Sequence, residues 1–482
     1  MQRAGVGAAG EIVRRFEPRL RDGVIVFAGA GNNGGDGWVV AGHLARAGVA
    51  VTVVEADAAK TPDAIAERIA ALEVVSGSSE SDPATTAGLV VDALLGTGFR
   101  GAPHGEMQAA IARVNALRQS GSQVASLDLP TGLDATTGEH GECVRADATL
   151  SFGGIKRGTL LARDCCGEIV VIDIGLDPAE SRDSSLPQLI DQPWVEARLP
   201  VLKYDAHKGA RKHLAVVGGG QGMAGAPILA CRGALRSGIG IVRAIVCGDN
   251  TDAVSAATPA ALVLPWPRSA DEIENSIASW AHAIVIGPGM GKSRDAMNVF
   301  ELLMSNTREP VVIDADALNL FAGDLPALRD HLRGRKAVIT PHVAEFARLA
   351  GTDVKTVLAE RFDIGRALAS DLGATVLLKG TPSITFAPDG ERLVSARGTA
   401  ALGTGGSGDL LAGIVGTLLA QTEDPTSAAA CGAWIHGRAA ELCEYVRGTT
   451  LDDVLYALPR AWNEREPPLD SPVLARLPAV PA

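Results

Sequence analysis

Residues 403–420, GTGGSGDLLAGIVGTLLA, place four glycines in the first six positions and then turn apolar, with one acid, Asp409, at the join. Glycines at 403, 405, 406 and 408 let the backbone turn tightly and approach a ligand with no Cβ in the way. Leu410, Leu411, Ile414, Val415, Leu418 and Leu419 recur at helical spacing, so the loop delivers its amides at a helix N-terminus, a natural seat for phosphate. A carboxylate there repels such a ligand unless it has work to do. Asp409 is read as the base that takes a proton from a hydroxyl attacking the β- or γ-phosphate. The alternative is that it caps the first helical turn.

The remaining chain fits an enzyme built on parallel sheets. At 482 residues it is too long for one core, and two to three domains are expected. Apolar residues make up 46% and aromatics only 4%, a composition rich in Ala, Val, Leu and Gly that suits sheets covered by helices on both faces. The net charge of −12 opposes general binding to nucleic acid or an anionic membrane. Seven cysteines lack the paired spacing of a zinc site and read as reduced thiols. There is no long apolar run and no signal-peptide core, so the expected location is cytoplasmic.

In the first half, VIVFAGA (24–30) reads as a buried strand and GNNGGDGWVVAGHLARAG as loop and helix, the opening unit of a doubly wound sheet. Asn32, Asn33 and Asp36 stand where a dinucleotide loop has glycines and apolar residues; Asn and Asp are also ordinary turn residues. Further strand ends carry Asp92, then Asp128, Pro130 and Thr131, then Lys156. Polar residues repeated at successive strand ends are what a site on this fold requires. Asp128 can be an acid–base group or a structural hydrogen-bonding residue, and Lys156 an ordinary solvated lysine.

Residues 1–180 resemble the epimerase domain of bifunctional NAD(P)H-hydrate repair enzymes through NNGGD (32–36), Asp92 with GTGFRG, and DLPTGLD from Asp128. The resemblance implies a Rossmann-like domain over 1–187. It implies potassium held by Asn33, Asp92 and Thr131, and the hydrated coenzyme held by Asn32, Asn33, Gly34, Gly35, Asp36, Gly96, Thr97, Gly98, Phe99, Arg100, Gly101, Ala102 and Asp128, with Asp128 the expected catalytic acid–base. The resemblance implies a further helix ahead of the segment matching 1–5, so the expectation is either that the natural start lies upstream of residue 1 or that the dimer contact and part of the pocket wall are altered.

Residues 181–200, polar and twice interrupted by proline, read as a linker, with the boundary near 188. Beyond it come GPGMG (287–291), DADALN (314–319), TPH (340–342), LKGT (378–381) and GTGGSGD (403–409). Over about 200–465 these resemble the ADP/ATP-dependent NAD(P)H-hydrate dehydratases, which are ribokinase-like. The resemblance implies an α/β/α domain over 188–466 with Ala226, Gly289, His342 and Asp409 on the hydrate. Lys379, Gly380, Thr381, Pro382, Ser383 and Gly408 would hold ADP or ATP with magnesium, and GARKH (209–213) implies a changed flap. His342 is expected to contact the nicotinamide portion and not to transfer a proton, and His436 to be structural. Residues 467–482 read as a proline-rich mobile tail, and a homo-oligomer is expected. The rival reading keeps the fold but makes the second half a kinase of a small vitamin-like alcohol, joined to a non-catalytic binding or scaffolding module.

Overall fold

A run of apolar residues without alternation has to be covered on both faces, and Val24–Ala28 is buried at every position. The structure, a computed structural model, describes residues 1–75, 77–79, 86–176, 186–205 and 207–480. It divides into two compact units, residues 1–183 with 467–482, and residues 184–466.

In the first unit, β1 (Val24–Ala28), β2 (Val51–Glu55), β3 (Gly77–Ser79), β4 (Leu89–Ala93), β5 (Gln123–Leu127), β6 (Ala148–Phe152) and β7 (Glu168–Ile172) run parallel in the order β7-β6-β5-β4-β1-β2-β3. The order reverses between β1 and β4, which opens a crevice at their C-terminal ends. Helix α1 (Gln2–Leu20) precedes β1, and α2 (Asn32–Arg46) follows it. The connection after β1 is shorter than the composition of 29–37 suggests. Gly31 is already the N-cap, so Asn33 and Asp36 sit on the first turns of α2. Packing overrides the weak helix propensity of this segment: a Cβ on Gly34 would lie 1.9 Å from the Gly29 carbonyl oxygen.

The expected tail is instead part of this sheet. Val473–Leu477 pairs antiparallel with β7, and Asp173 N–H donates to Pro472 O at 2.7 Å. Prolines at 472 and 478 flank the strand, where a missing donor is tolerated because only one side is paired. Composition hid a short apolar run, VLARL, between them.

The second unit holds β8 (Gln188–Leu189), β9 (His213–Val217), β10 (Ile241–Val246), β11 (Ala261–Pro265), β12 (Ala283–Ile286), β13 (Val311–Ile313), β14 (Ala337–Ile339), β15 (Thr375–Leu378), β16 (Ser383–Phe386) and β17 (Arg392–Ser395). Their order is β11-β10-β9-β12-β13-β14-β15-β16-β17-β8, parallel from β11 to β15, with β16 antiparallel to both neighbours. The expected linker is largely structured. Residues 181–185 lie outside the described residues, but β8 pairs with β17, and Ile190 and Val195 are buried in the second core.

Helices α3 (Gly225–Arg236), α4 (Val343–Ala350), α5 (Ser407–Thr422) and α6 (Pro425–Glu441) complete what positions the site. All six apolar positions that mark residues 410–419 as a helix are buried. α3 and α5 cross with backbones in contact: a Cβ on Gly413 would lie 1.9 Å from Ala230 O, and one on Gly233 2.5 Å from Leu410 O. Gly413→Ala should therefore force the helices apart and cost about 3 kcal/mol, the upper end for overpacking. Chemical denaturation of the second unit checks this.

Candidate active sites

The rim of the larger sheet holds a cavity of about 560 Å³, lined by Asp314 after β13, His342 and Glu345 at the start of α4, Lys379 after β15, and the loop into α5. Gly406, at φ +91°, is the N-cap of α5 and supplies no side chain, while Asp409 follows within the first turn and lines the cavity. The residue at the cap position is thus the glycine, and the Asp409 carboxyl is turned to the cavity. Burial, and then the neighbouring Asp314 charge, push it up to about 7, against the pull of Lys379.

Lys379 Nζ joins the acids. It lies 2.7 Å from Asp314 Oδ1 and 3.8 Å from Glu345 Oε2, and burial is outweighed by these carboxylates, so its ammonium is held above its usual range. A Cβ on Gly408 would come within 3.1 Å of Nζ, so a side chain there would press on the ammonium. Asp314 Oδ1 also accepts from Thr340 Oγ1 at 2.7 Å, whereas Asp314 Oδ2 is buried without a hydrogen-bond partner. Ala315 adopts φ +51° and ψ −119° between Asp314 and Asp316, a backbone unfavourable to any residue with a side chain and found where the surrounding structure imposes it.

His342 lines the cavity and also caps α4: its Nδ1 accepts from Ala344 N–H (3.1 Å) and Glu345 N–H (3.3 Å), and Glu345 Oε2 accepts from His342 N–H (2.8 Å). With Nδ1 occupied as an acceptor the ring carries its proton on Nε2, and burial lowers its affinity for a second one. Of the expected nucleotide set, Lys379, Gly380, Thr381, Ser383 and Gly408 line the cavity. Pro382 is not among its lining residues. Ala226 and Gly289 meet each other at the adjoining switch point between β9 and β12, where a Cβ on Gly289 would lie 2.9 Å from the Ala226 Cβ.

The first unit gathers a different set. Asp128, at φ +67°, follows β5 and ion-pairs through Oδ1 with Lys156 Nζ. Lys156 Nζ also donates to Phe152 O (2.9 Å), Gly154 O (3.1 Å) and Ser151 Oγ (3.2 Å), so this lysine is tethered and not solvated. Asp128 Oδ2 accepts from Thr97 N–H at 3.4 Å. Asp92 is wholly buried and accepts from Thr131 Oγ1 (2.6 Å), Thr131 N–H (2.9 Å), Ser126 Oγ (2.8 Å) and Leu94 N–H (3.3 Å). Asn33 Nδ2 donates to Leu95 O (3.0 Å) and Leu127 O (3.2 Å), which leaves Asn33 Oδ1 buried with no donor.

Asn32 is exposed, Gly34 and Gly35 are buried in α2, and Asp36 beside them is pushed up to about 7 by burial. Gly96 and Phe99 are half-buried, while Thr97, Gly98, Arg100, Gly101 and Ala102 stand exposed along the rim.

Residues 214–460 match the NAD(P)H-hydrate dehydratase family, and residues 1–158 match the YjeF-related protein N-terminus. The bifunctional NAD(P)H-hydrate repair enzyme Nnr of Moorella thermoacetica is 32% identical over 99% of this chain and 94% of its own length. The chain belongs to the bifunctional NAD(P)H-hydrate repair enzymes.

Over 56% of its length the chain is similar to a solved structure, the ADP/ATP-dependent NAD(P)H-hydrate dehydratase of Bacillus subtilis co-crystallised with ATP/Mg2+, with 28% identity, 96% of that chain covered and a TM-score of 0.50. A ribokinase-like superfamily protein from Enterococcus faecalis, 24% identical with a TM-score of 0.51 over 57% of this chain and 94% of that one, shares the fold. The rival reading of a vitamin kinase joined to a scaffolding module gives way, because the repair-enzyme match runs through both halves.

Residues that sequence reasoning left out of the repair enzyme's site also line the dehydratase cavity, among them Asp314, Glu345, Arg397 and His436. Asp314 was visible as a strand-end acid and Glu345 as the third residue of a capping box after His342. His436, expected to be structural, lines the cavity with its Nε2 buried and unpartnered, and burial lowers it to about 4, so it is neutral near pH 7. A helical periodicity gives no hint that one position faces a cavity formed mostly by other elements of the fold.

Proposed function

We propose that the chain repairs hydrated nicotinamide coenzymes, the first unit interconverting the C6 epimers of NAD(P)HX and the second dehydrating the S epimer at the expense of ADP or ATP. The observation that carries this is the Asp409 carboxyl, poised near 7 on a glycine loop facing a cavity and held beside Lys379. Hydroxide is a poor leaving group from C6. Asp409 takes the hydroxyl proton as that oxygen attacks the terminal phosphorus, and the nucleotide departs one phosphate shorter. The ring nitrogen lone pair then expels phosphate, and loss of the C5 proton restores the dihydropyridine. Amides of 405–408 face the charge that develops on the transferred group, and the neutral His342 and His436 bound the cavity without adding charge.

The carboxylates around Lys379 exceed its single positive charge, and Asp314 Oδ2 lacks a partner. That arrangement suits the magnesium that accompanies a nucleotide, which would neutralise phosphate charge. In the first unit Asn33 Oδ1 is the acceptor left open, beside Thr131 and Asp92. Oxygen-only donors with one buried carboxylate fit potassium, which would fix the substrate's place next to Asp128. Asp128 serves as the acid–base group and Lys156 as the residue that orients it.

The test supplies each epimer separately with ADP or ATP and follows recovery of reduced-nicotinamide absorbance and free phosphate. Both epimers should be recovered, with R slower. Replacing potassium by choline should slow only the R reaction. Accumulation of a stable phosphorylated product would overturn the dehydratase reading.

A further inference from the structure

The loop that follows Asp128 closes on itself. Val144 N–H donates to Thr131 O at 2.9 Å, Leu133 bridges to His140, and a Cβ on Gly132, at φ +95°, would lie 3.0 Å from the Cys143 Cα. At its closing end three soft donors converge from two stretches of sequence. His140 Nδ1 is 3.6 Å from Cys143 Sγ, His140 Nε2 is 3.4 Å from Cys165 Sγ, and the two sulfurs are 3.5 Å apart. One donor atom from each residue lies within 4.8 Å of the others. Both cysteines are free thiols and are buried.

These separations are those of a metal's ligands. With Zn–S near 2.3 Å and Zn–N near 2.0 Å in a tetrahedron, bound atoms stand about 3.8 Å apart for two sulfurs and about 3.6 Å for sulfur and nitrogen. A turn of the imidazole would present one nitrogen to both sulfurs. Asp164 Oδ1 lies 3.8 Å from Cys165 Sγ, and Arg145 Nη1 reaches both Cys165 Sγ (3.1 Å) and Asp164 Oδ2 (2.8 Å). An N–H donor to a ligating sulfur, itself held by a carboxylate, is the kind of outer partner that orients a metal site. A disulfide would need the sulfurs to close to about 2.05 Å and would leave His140 without a role.

We propose that His140, Cys143 and Cys165 bind one zinc ion, with water in the fourth position, and that the ion clips the loop of residues 131–144 to Arg163–Cys166. Binding releases the two thiol protons to solvent. Two thiolates then balance the ion, while Arg145 and Asp164 balance each other. The clip holds the loop whose start carries Thr131, three residues after Asp128, so its loss acts on the first unit's reaction. The second unit's reaction, on the same chain, is the internal control.

The experiment uses full-length protein. Zinc per chain is measured by atomic emission as purified, after chelation under reducing conditions, and after return of zinc chloride; cobalt(II) is substituted to look for thiolate-to-cobalt charge transfer. About one zinc per chain is expected, falling about tenfold or more in His140→Ala and Cys143→Ser and unchanged in Cys443→Ser, with circular dichroism confirming folded variants. Stripping should slow recovery from the R epimer and leave the S epimer unaffected. Three results overturn the proposal: no zinc bound by folded wild-type protein even when zinc chloride is returned, zinc that survives both ligand variants, or a metal-free chain lighter by two hydrogens with Cys143 and Cys165 joined. Equal slowing of both epimers would remove the clip's assignment to the first unit.

Discussion

Asp409→Asn is expected to lower turnover of the S epimer by about 10²–10⁴-fold, the range for losing a general base, while nucleotide affinity stays within a few-fold. Binding is measured by calorimetry with ADP and turnover by reduced-nicotinamide absorbance; turnover equal to wild type would remove Asp409 from the mechanism. Two further signs separate this from simple damage. Wild-type kcat/KM should rise with pH and level off above about 7, because the base works only when ionised and its carboxyl is pushed up to about 7 from 3.8. Stability moves the other way. A carboxyl whose pKa is raised on folding binds more protons in the folded state than in the unfolded one between those values, so folding weakens as pH rises from about 4 to 7. The variant has no such group. Its Tm should match wild type near pH 4 and exceed it at pH 7, so the substitution that disables the site should also stabilise the chain.

Asp128→Asn carries the second large effect, a loss of about 10²–10⁴-fold in conversion of the R epimer, with the S epimer consumed at the wild-type rate by the same preparation. Lys156→Met distinguishes orientation from acid–base work. Removing the ammonium that holds Asp128 Oδ1 should shift the pH profile of the R reaction, and Lys156→Arg should recover part of the rate. An unchanged pH profile in Lys156→Met would reduce the ion pair to scaffolding.

Much of this was legible in residue order because parallel sheets write themselves into sequence as short apolar runs, each ending where chemistry is delivered. Asp92, Asp128, Asp314 and Lys379 all sit at or directly after strand ends, where position along the chain predicts position at the rim. The glycine loop before Asp409 was legible for a similar reason: backbone contact leaves a composition signature. Other features needed three dimensions. Lys156 looked like a solvated lysine because nothing local shows that three oxygens and a carboxylate surround its nitrogen. The cluster of His140, Cys143 and Cys165 was hidden for the same cause, since the first two come within reach of Cys165 only after the 131–144 loop closes. Residues 473–477 were hidden by prolines that count against a strand in general but not at its ends.

That last strand has a consequence for how the protein is made. The ribosome finishes β1 to β7 first, then the whole of residues 184–466, and only then the segment that covers the open side of β7. Early-emerging units usually mature during synthesis, yet here the leading half waits with an unpaired backbone ladder until the trailing half has been translated. Nascent chains stalled before residue 473 would display that ladder to solvent, a template for pairing with other chains. Splitting the two activities by one cut near residue 184 would leave the front piece in the same state, whereas appending residues 467–482 directly after residue 176 through a short flexible spacer would let it close.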